Sequence, residues 1–178
     1  MIIVKRKTVI KAKISLIFIS SLLLFTNLMC KKDTDEVKVD TTNQTDSNKT
    51  KFKKQGEVFF QDSLKNLVKK IDVEIADTDD ARHLGLMFRE GMTEGQGMLF
   101  IFPSEEVQGF YMKNTVMSLD IIFINSKKRI VKIHKNTEPL SEKTLPSIKQ
   151  ALYVVEVISG FTDKYKIKEG DFIDWRRI

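Results

Sequence analysis

Cysteine occurs once in these 178 residues, tryptophan once, histidine twice and proline three times. Each scarcity excludes something. A lone Cys30 allows no intrachain disulfide, no Cys-x-x-Cys redox pair and no cysteine-built metal cage. His83 and His134 lie far apart in the chain and make a poor start for a zinc site. No apolar run reaches the roughly 20 residues that a membrane-spanning helix needs. Signature motifs are missing as well. Gly91, Gly95 and Gly97 are not followed by the Lys-Ser/Thr of a phosphate loop, and no Gly-x-Ser-x-Gly elbow is present. DTDDAR begins like a calcium loop. However, Ala81 and Arg82 stand where a ligand and a glycine are required, and Phe88 replaces the closing glutamate. The sequence therefore implies no metal and no cofactor.

The charge that is present is unevenly placed. The formal net charge is +6, yet Lys5, Arg6, Lys7, Lys11 and Lys13 precede every acidic residue. From Cys30 onward 25 basic side chains face 24 acidic ones, a net of +1. The basic balance belongs to the N-terminus, so the charge argues for no nucleic-acid partner. That N-terminus has the order of an export signal: a basic segment, MIIVKRKTVIKAK, then the apolar ISLIFISSLLLF, then Cys30. A cysteine at this junction is what a bacterial lipoprotein uses, with diacylglycerol on its thiol and cleavage before it. The pattern departs from the usual lipobox at Asn27 and Met29. The expectation is a lipoprotein signal peptide over residues 1–29, lipidation at Cys30, and anchoring to a membrane of the cell envelope at its periplasmic face or the cell surface.

Residues 30–56 are polar and poor in large apolar side chains, a composition that cannot bury enough surface to offset the entropy of ordering. They read as a disordered tether. Residues 57–178 form the folded domain. Ile71, Val73 and Ile75 alternate with Asp72 and Glu74, the period of a half-buried strand with its acids outward. Asp77 or Thr78 can cap a short helix in DTDDARHLGLMF. MLFIF, VQGFYM, LDIIFI, RIVKIH and ALYVVEV read as successive strands, GFTDKYKI as a helical turn, and KEGDFIDW as a final strand after a Gly-Asp turn. Short strands without long helices argue against a doubly wound sheet. The fold class is mainly β (α+β): a small, mostly antiparallel, barrel-like domain with one or two short helices.

Several stretches carry a family resemblance: VEIADTDDARHLGLMFRE, GQGMLFIFP, FYMKNTVMSLDIIFIN, RIVKIHKNTEPL, YVVEVISG and IKEGDFI, in that order. Over nearly the whole domain they resemble the DUF192 (UPF0127) family of uncharacterised bacterial and archaeal proteins. One departure is Tyr111, where the family commonly has Trp before the MKNT motif. The resemblance implies a small β-rich fold and assigns no activity. Members are often exported or tethered, in keeping with the N-terminus.

The candidate site lies in MKNTVMSLDI. Lys113, Asn114, Thr115 and Asp120 are polar groups set between apolar runs. They either converge in a pocket, with Lys113 as an anion anchor and Asp120 as acid, base or ligand contact, or they form a turn. In the second case Asp120 accepts backbone N–H groups or pairs with Arg82 or Arg89. Arg82 and Arg89 either flank an anionic ligand or are solvated charges. His134 reads as an exposed strand histidine. The leading expectation is a non-catalytic module at the membrane surface that binds a small molecule or envelope glycan. Two alternatives stay open: a hydrolase using Asp120 on an envelope glycan or small anionic substrate, and a purely structural envelope protein.

Overall fold

A computed structural model describes residues 51–178. The expected signal peptide, Cys30 and most of the tether lie outside them. The element order is β1 (Gly56–Gln61), β2 (Leu67–Ala76), α1 (Asp79–Leu84), β3 (Gln96–Phe110), β4 (Leu119–Ile124), β5 (Ile130–His134), β6 (Leu145–Ile158), α2 (Phe161–Lys164) and β7 (Phe172–Arg177). The seven strands form one sheet in the order β5-β4-β6-β3-β2-β1-β7. The sheet curls until its two edge strands approach. Arg129 bridges Phe172, and the Ile130 N–H donates to the Asp171 carbonyl at 2.8 Å. The mostly β, barrel-like reading of the sequence holds.

Three local features differ from the sequence reading. MLFIF and the VQGF of VQGFYM belong to one strand, β3, whose pairing with β6 is interrupted between Ile101 and Glu106. Pro103 sits in that interruption, where its missing N–H costs no ladder bond. β2 and β3 pair in parallel, joined by a crossover that contains α1. α1 has only 6 residues, capped by the Thr78 hydroxyl, which accepts from the Ala81 N–H. It stops at Gly85, whose φ of +48° favours glycine. A Cβ there would lie 3.2 Å from the Phe100 ring.

Strand periodicity sorts the side chains into two cores. Val58, Ile71, Val73, Leu99, Ile122 and Val155, with others, fill the concave side, which Phe161 of α2 helps to close. Phe100, Ile121, Phe123 and Val154 point to the convex side. There Leu86, Met92, Met112 and Met117, from the segments after α1 and β3, cover them. Both faces of the central strands are therefore buried, and LDIIFI is buried at every position. This corrects the outward placement of Glu74, which is buried on the convex face. Order also extends upstream of Glu57: the Gln55 N–H donates to the Val73 carbonyl at 2.9 Å.

Candidate functional site

The MKNT segment turns away from β3 before β4 begins. The Thr115 N–H donates back to the Met112 carbonyl at 3.0 Å, and Asn114 takes φ of +55°, a conformation Asn tolerates better than most residues. Consecutive carbonyls of this turn then clip two other segments. Asn114 accepts from the Phe88 N–H at 2.8 Å, and Thr115 accepts from the Leu140 N–H at 3.0 Å. Lys113 is exposed and lies 3.5 Å from Glu142. These residues form a turn that fastens the convex cover to the sheet.

Asp120 faces the concave side at the start of β4 and is fully buried. Its Oδ1 accepts from the Asn136 N–H at 2.9 Å and the Gly160 N–H at 3.3 Å. Its Oδ2 accepts from the Thr162 N–H at 2.9 Å and the Thr162 hydroxyl at 2.6 Å. Gly160, the N-cap of α2, has no side chain to cap the helix, so Asp120 supplies the cap from another strand. Neither Arg82 nor Arg89 reaches it. Arg82 pairs with Asp79 and donates to the Ile101 carbonyl at 2.8 Å, and Arg89 pairs with the buried Glu74. Asp120 and Lys113 do not meet in a cavity.

A pocket of about 200 Å³ does open on the convex side, between the α1 end and the MKNT turn. Arg82, Leu84 and Met87 form one side, Tyr111 and Thr115 the other, and Phe100, Phe102 and Phe110 line it from β3. The three phenylalanines pack edge to face, Phe100 on Phe110 at 5.1 Å and Phe102 on Phe110 at 6.3 Å between centroids. Glu156 of β6 also lines the pocket, although only 5% of its surface is exposed. Its Oε2 has no hydrogen-bond partner among the described residues. Burial pushes this carboxyl up to about 8, against the downward pull of the nearby Arg89 guanidinium. At neutral pH Glu156 is thus mostly a neutral acid with an O–H to donate.

Strand register explains how Glu156 reaches this place. Glu74 on β2 pairs across to Met98 on β3, and Met98 pairs to Glu156 on β6, so the two acids flank Met98 on the convex face. Arg89 compensates Glu74, whose Oε1 also accepts from the Lys53 N–H at 2.7 Å. Glu156 is left without a cation of its own. Of the sequence candidates, the pocket gathers Arg82 and Thr115; Lys113, Asn114, Asp120 and Arg89 do not line it. Glu156 was missed. Its signal is a single acid inside the otherwise apolar YVVEVI, which marks either an outward residue or a buried one with a purpose.

No helix among the described residues is long and apolar enough to cross a membrane, and no group of three or more acidic, His or Cys side chains among them could hold a metal ion. Residues 61–175 match the profile of DUF192, a family described as "Uncharacterized ACR". The chain is 30% identical over 114 residues to the UPF0127 protein PF1050 of Pyrococcus furiosus, covering 61% of this chain and 90% of that one. It is 33% identical over 116 residues to the UPF0127 protein PH1112 of Pyrococcus horikoshii, covering 62% and 93%. A Sinorhizobium meliloti crystal structure, provisionally assigned as a transcription regulator, superposes with a TM-score of 0.65 at 31% identity over 70% of this chain and 95% of its own. A protein of unknown function from Novosphingobium aromaticivorans gives 0.62 at 31% identity over 67% and 84%. The chain belongs to the DUF192 family.

Proposed function

We propose that this DUF192 protein is an exported, lipid-anchored binding module that takes a small molecule in the pocket beneath α1. One observation carries the reading: a buried carboxyl with an unpartnered oxygen, Glu156, lines an aromatic cavity. An unpaired buried polar group costs stability, on the order of 1–3 kcal/mol. A group kept at that cost inside a pocket fits a ligand contact better than a scaffold. The pocket's size favours a small ligand, since about 200 Å³ is below the ~300–1,000 Å³ usual for drug-sized molecules.

Export and anchoring rest on the order of the N-terminus: basic segment, apolar run, Cys30, polar tether. The near-neutral charge after Cys30 supports a small-molecule partner over nucleic acid, whatever the assignment of the Sinorhizobium protein. An enzymatic use of Asp120 finds little support, because its oxygens already accept four hydrogen bonds away from the pocket. An envelope glycan could reach the cavity only by one small substituent.

Met87 lines the pocket, whereas Met112 and Met117 are buried outside it. Methyl-labelled methionine NMR of the full chain in a non-ionic detergent therefore tests the binding reading. A panel of small cations, anions and neutral molecules should include one class that shifts the Met87 methyl and leaves Met112 and Met117 in place. A panel that moves none of them contradicts it. For the anchor, Cys30→Ala should lose fatty-acid labelling and detergent partitioning. A variant that keeps both would refute lipidation.

A further inference from the structure

The pocket's charge balance narrows the ligand further, resting on the binding reading above. Arg82 is compensated by Asp79 and engaged by the Ile101 carbonyl. Arg89 is compensated by Glu74. His83, on α1, also lines the pocket but is exposed. Once these pairs are subtracted, the group left without a counter-charge is the Glu156 carboxyl, which shares the pocket lining with Phe100, Phe110 and Tyr111. Aromatic faces attract cations through the ring quadrupole, most strongly where water is excluded. The wall already does so once, with the Arg82 guanidinium carbon 5.6 Å from the Phe102 ring centre. A ligand carboxylate would meet a buried acid and a guanidinium already paired with Asp79 and bonded to the Ile101 carbonyl.

We infer that the pocket takes a small organic cation, an alkylated or methylated ammonium group, held between the Phe100, Phe110 and Tyr111 rings and the Glu156 carboxylate. No covalent step is involved. The cation displaces the proton from Glu156 as it binds, and that proton leaves to solvent.

Choline and its uncharged isostere 3,3-dimethyl-1-butanol, with benzoate as an anion of comparable bulk, test this on the full chain in non-ionic detergent. The Met87 methyl reports occupancy, and calorimetry in buffers of different ionisation enthalpy counts protons. Choline should shift Met87, bind at least about tenfold more tightly than the isostere, and release close to one proton at about pH 7. Glu156→Gln should weaken choline by about tenfold or more, abolish the proton release, and leave isostere binding unchanged. Binding of the isostere or benzoate as tightly as choline, indifferent to Glu156→Gln, would overturn the cation assignment and leave the small-molecule reading standing. Failure of all three probes to move Met87 at tens of millimolar would overturn the cation assignment. Failure of the wider panel as well would overturn the binding reading with it.

Discussion

Asp120 and Glu156 stand on neighbouring strands, one step apart in register: Asp120 lies opposite Val157, and Ile121 opposite Glu156. Both are carboxyl groups on buried β positions, one turned to the concave core and the other to the convex face. Asp120 accepts four hydrogen bonds that tie β4 to the segment after β5 and to the start of α2. Glu156 keeps an unpartnered oxygen, and burial favours its proton. Burial therefore does not by itself say what a polar side chain is for. What separates the two is whether the fold has spent their hydrogen-bonding capacity. A satisfied carboxylate is a fastener; an unsatisfied one beside a cavity is available to something that comes from outside.

Substitutions that break this contrast should rank in a definite order. Asp120→Asn turns one acceptor into a donor facing N–H groups. It should cost roughly 3–4 kcal/mol and lower Tm by roughly 15–20 °C in thermal unfolding. Arg89→Gln leaves Glu74 buried without its cation and should cost roughly 2–3 kcal/mol in urea titration, with Glu156 driven still further toward its protonated form. Glu156→Gln replaces a neutral acid with a neutral amide of similar shape and should change stability by less than about 1 kcal/mol at about pH 4.5, before the unfolded chain has lost this proton. Lys113→Ala removes an exposed lysine whose pairing with Glu142 is solvent-screened, and should stay within about 0.5 kcal/mol.

The pH dependence sharpens the same comparison. Glu156 has a folded-state value above its ordinary 4.5, so the unfolded chain loses this proton first. Its contribution is fully present below the unfolded value and is lost as pH rises toward about 8, by on the order of a few kcal/mol. Glu57 behaves in the opposite sense. Lys70, Lys54 and Arg176 hold it down to about 2, so its contribution is present above 4.5 and lost as pH falls toward 2. Denaturation across this range should show a stability maximum on the acid side of neutrality. Glu156→Gln should flatten the alkaline limb and leave the acid limb alone.

The sequence made one of these carboxylates conspicuous and hid the other. Asp120 precedes an unbroken apolar strand, so its polarity demands an explanation, and hydrogen bonding to backbone was one of two available. Glu156 alternates properly with Val155 and Val157, and period-2 patterning assigns such a residue to solvent. That assignment fails because a second core covers the convex face, built from Leu86, Met112 and Met117 in segments with no regular structure. The same omission sent Glu74 outward. It also left Arg89 with an ambiguous role, since its partner could not be placed. Most strand positions and the curled sheet were legible because alternation and turns are local. The parallel β2–β3 pair was not, because a crossover through a helix of 6 residues leaves too weak a pattern.

The most direct test is urea denaturation of the full chain as parent, Asp120→Asn and Glu156→Gln, each at about pH 4.5 and about pH 7.5. The account predicts a large loss for Asp120→Asn at both values. It predicts that Glu156→Gln keeps the parent's stability at the lower pH and exceeds it at the higher. A Glu156→Gln protein as damaged as Asp120→Asn at both values would make Glu156 a second fastener and remove the basis for a ligand site.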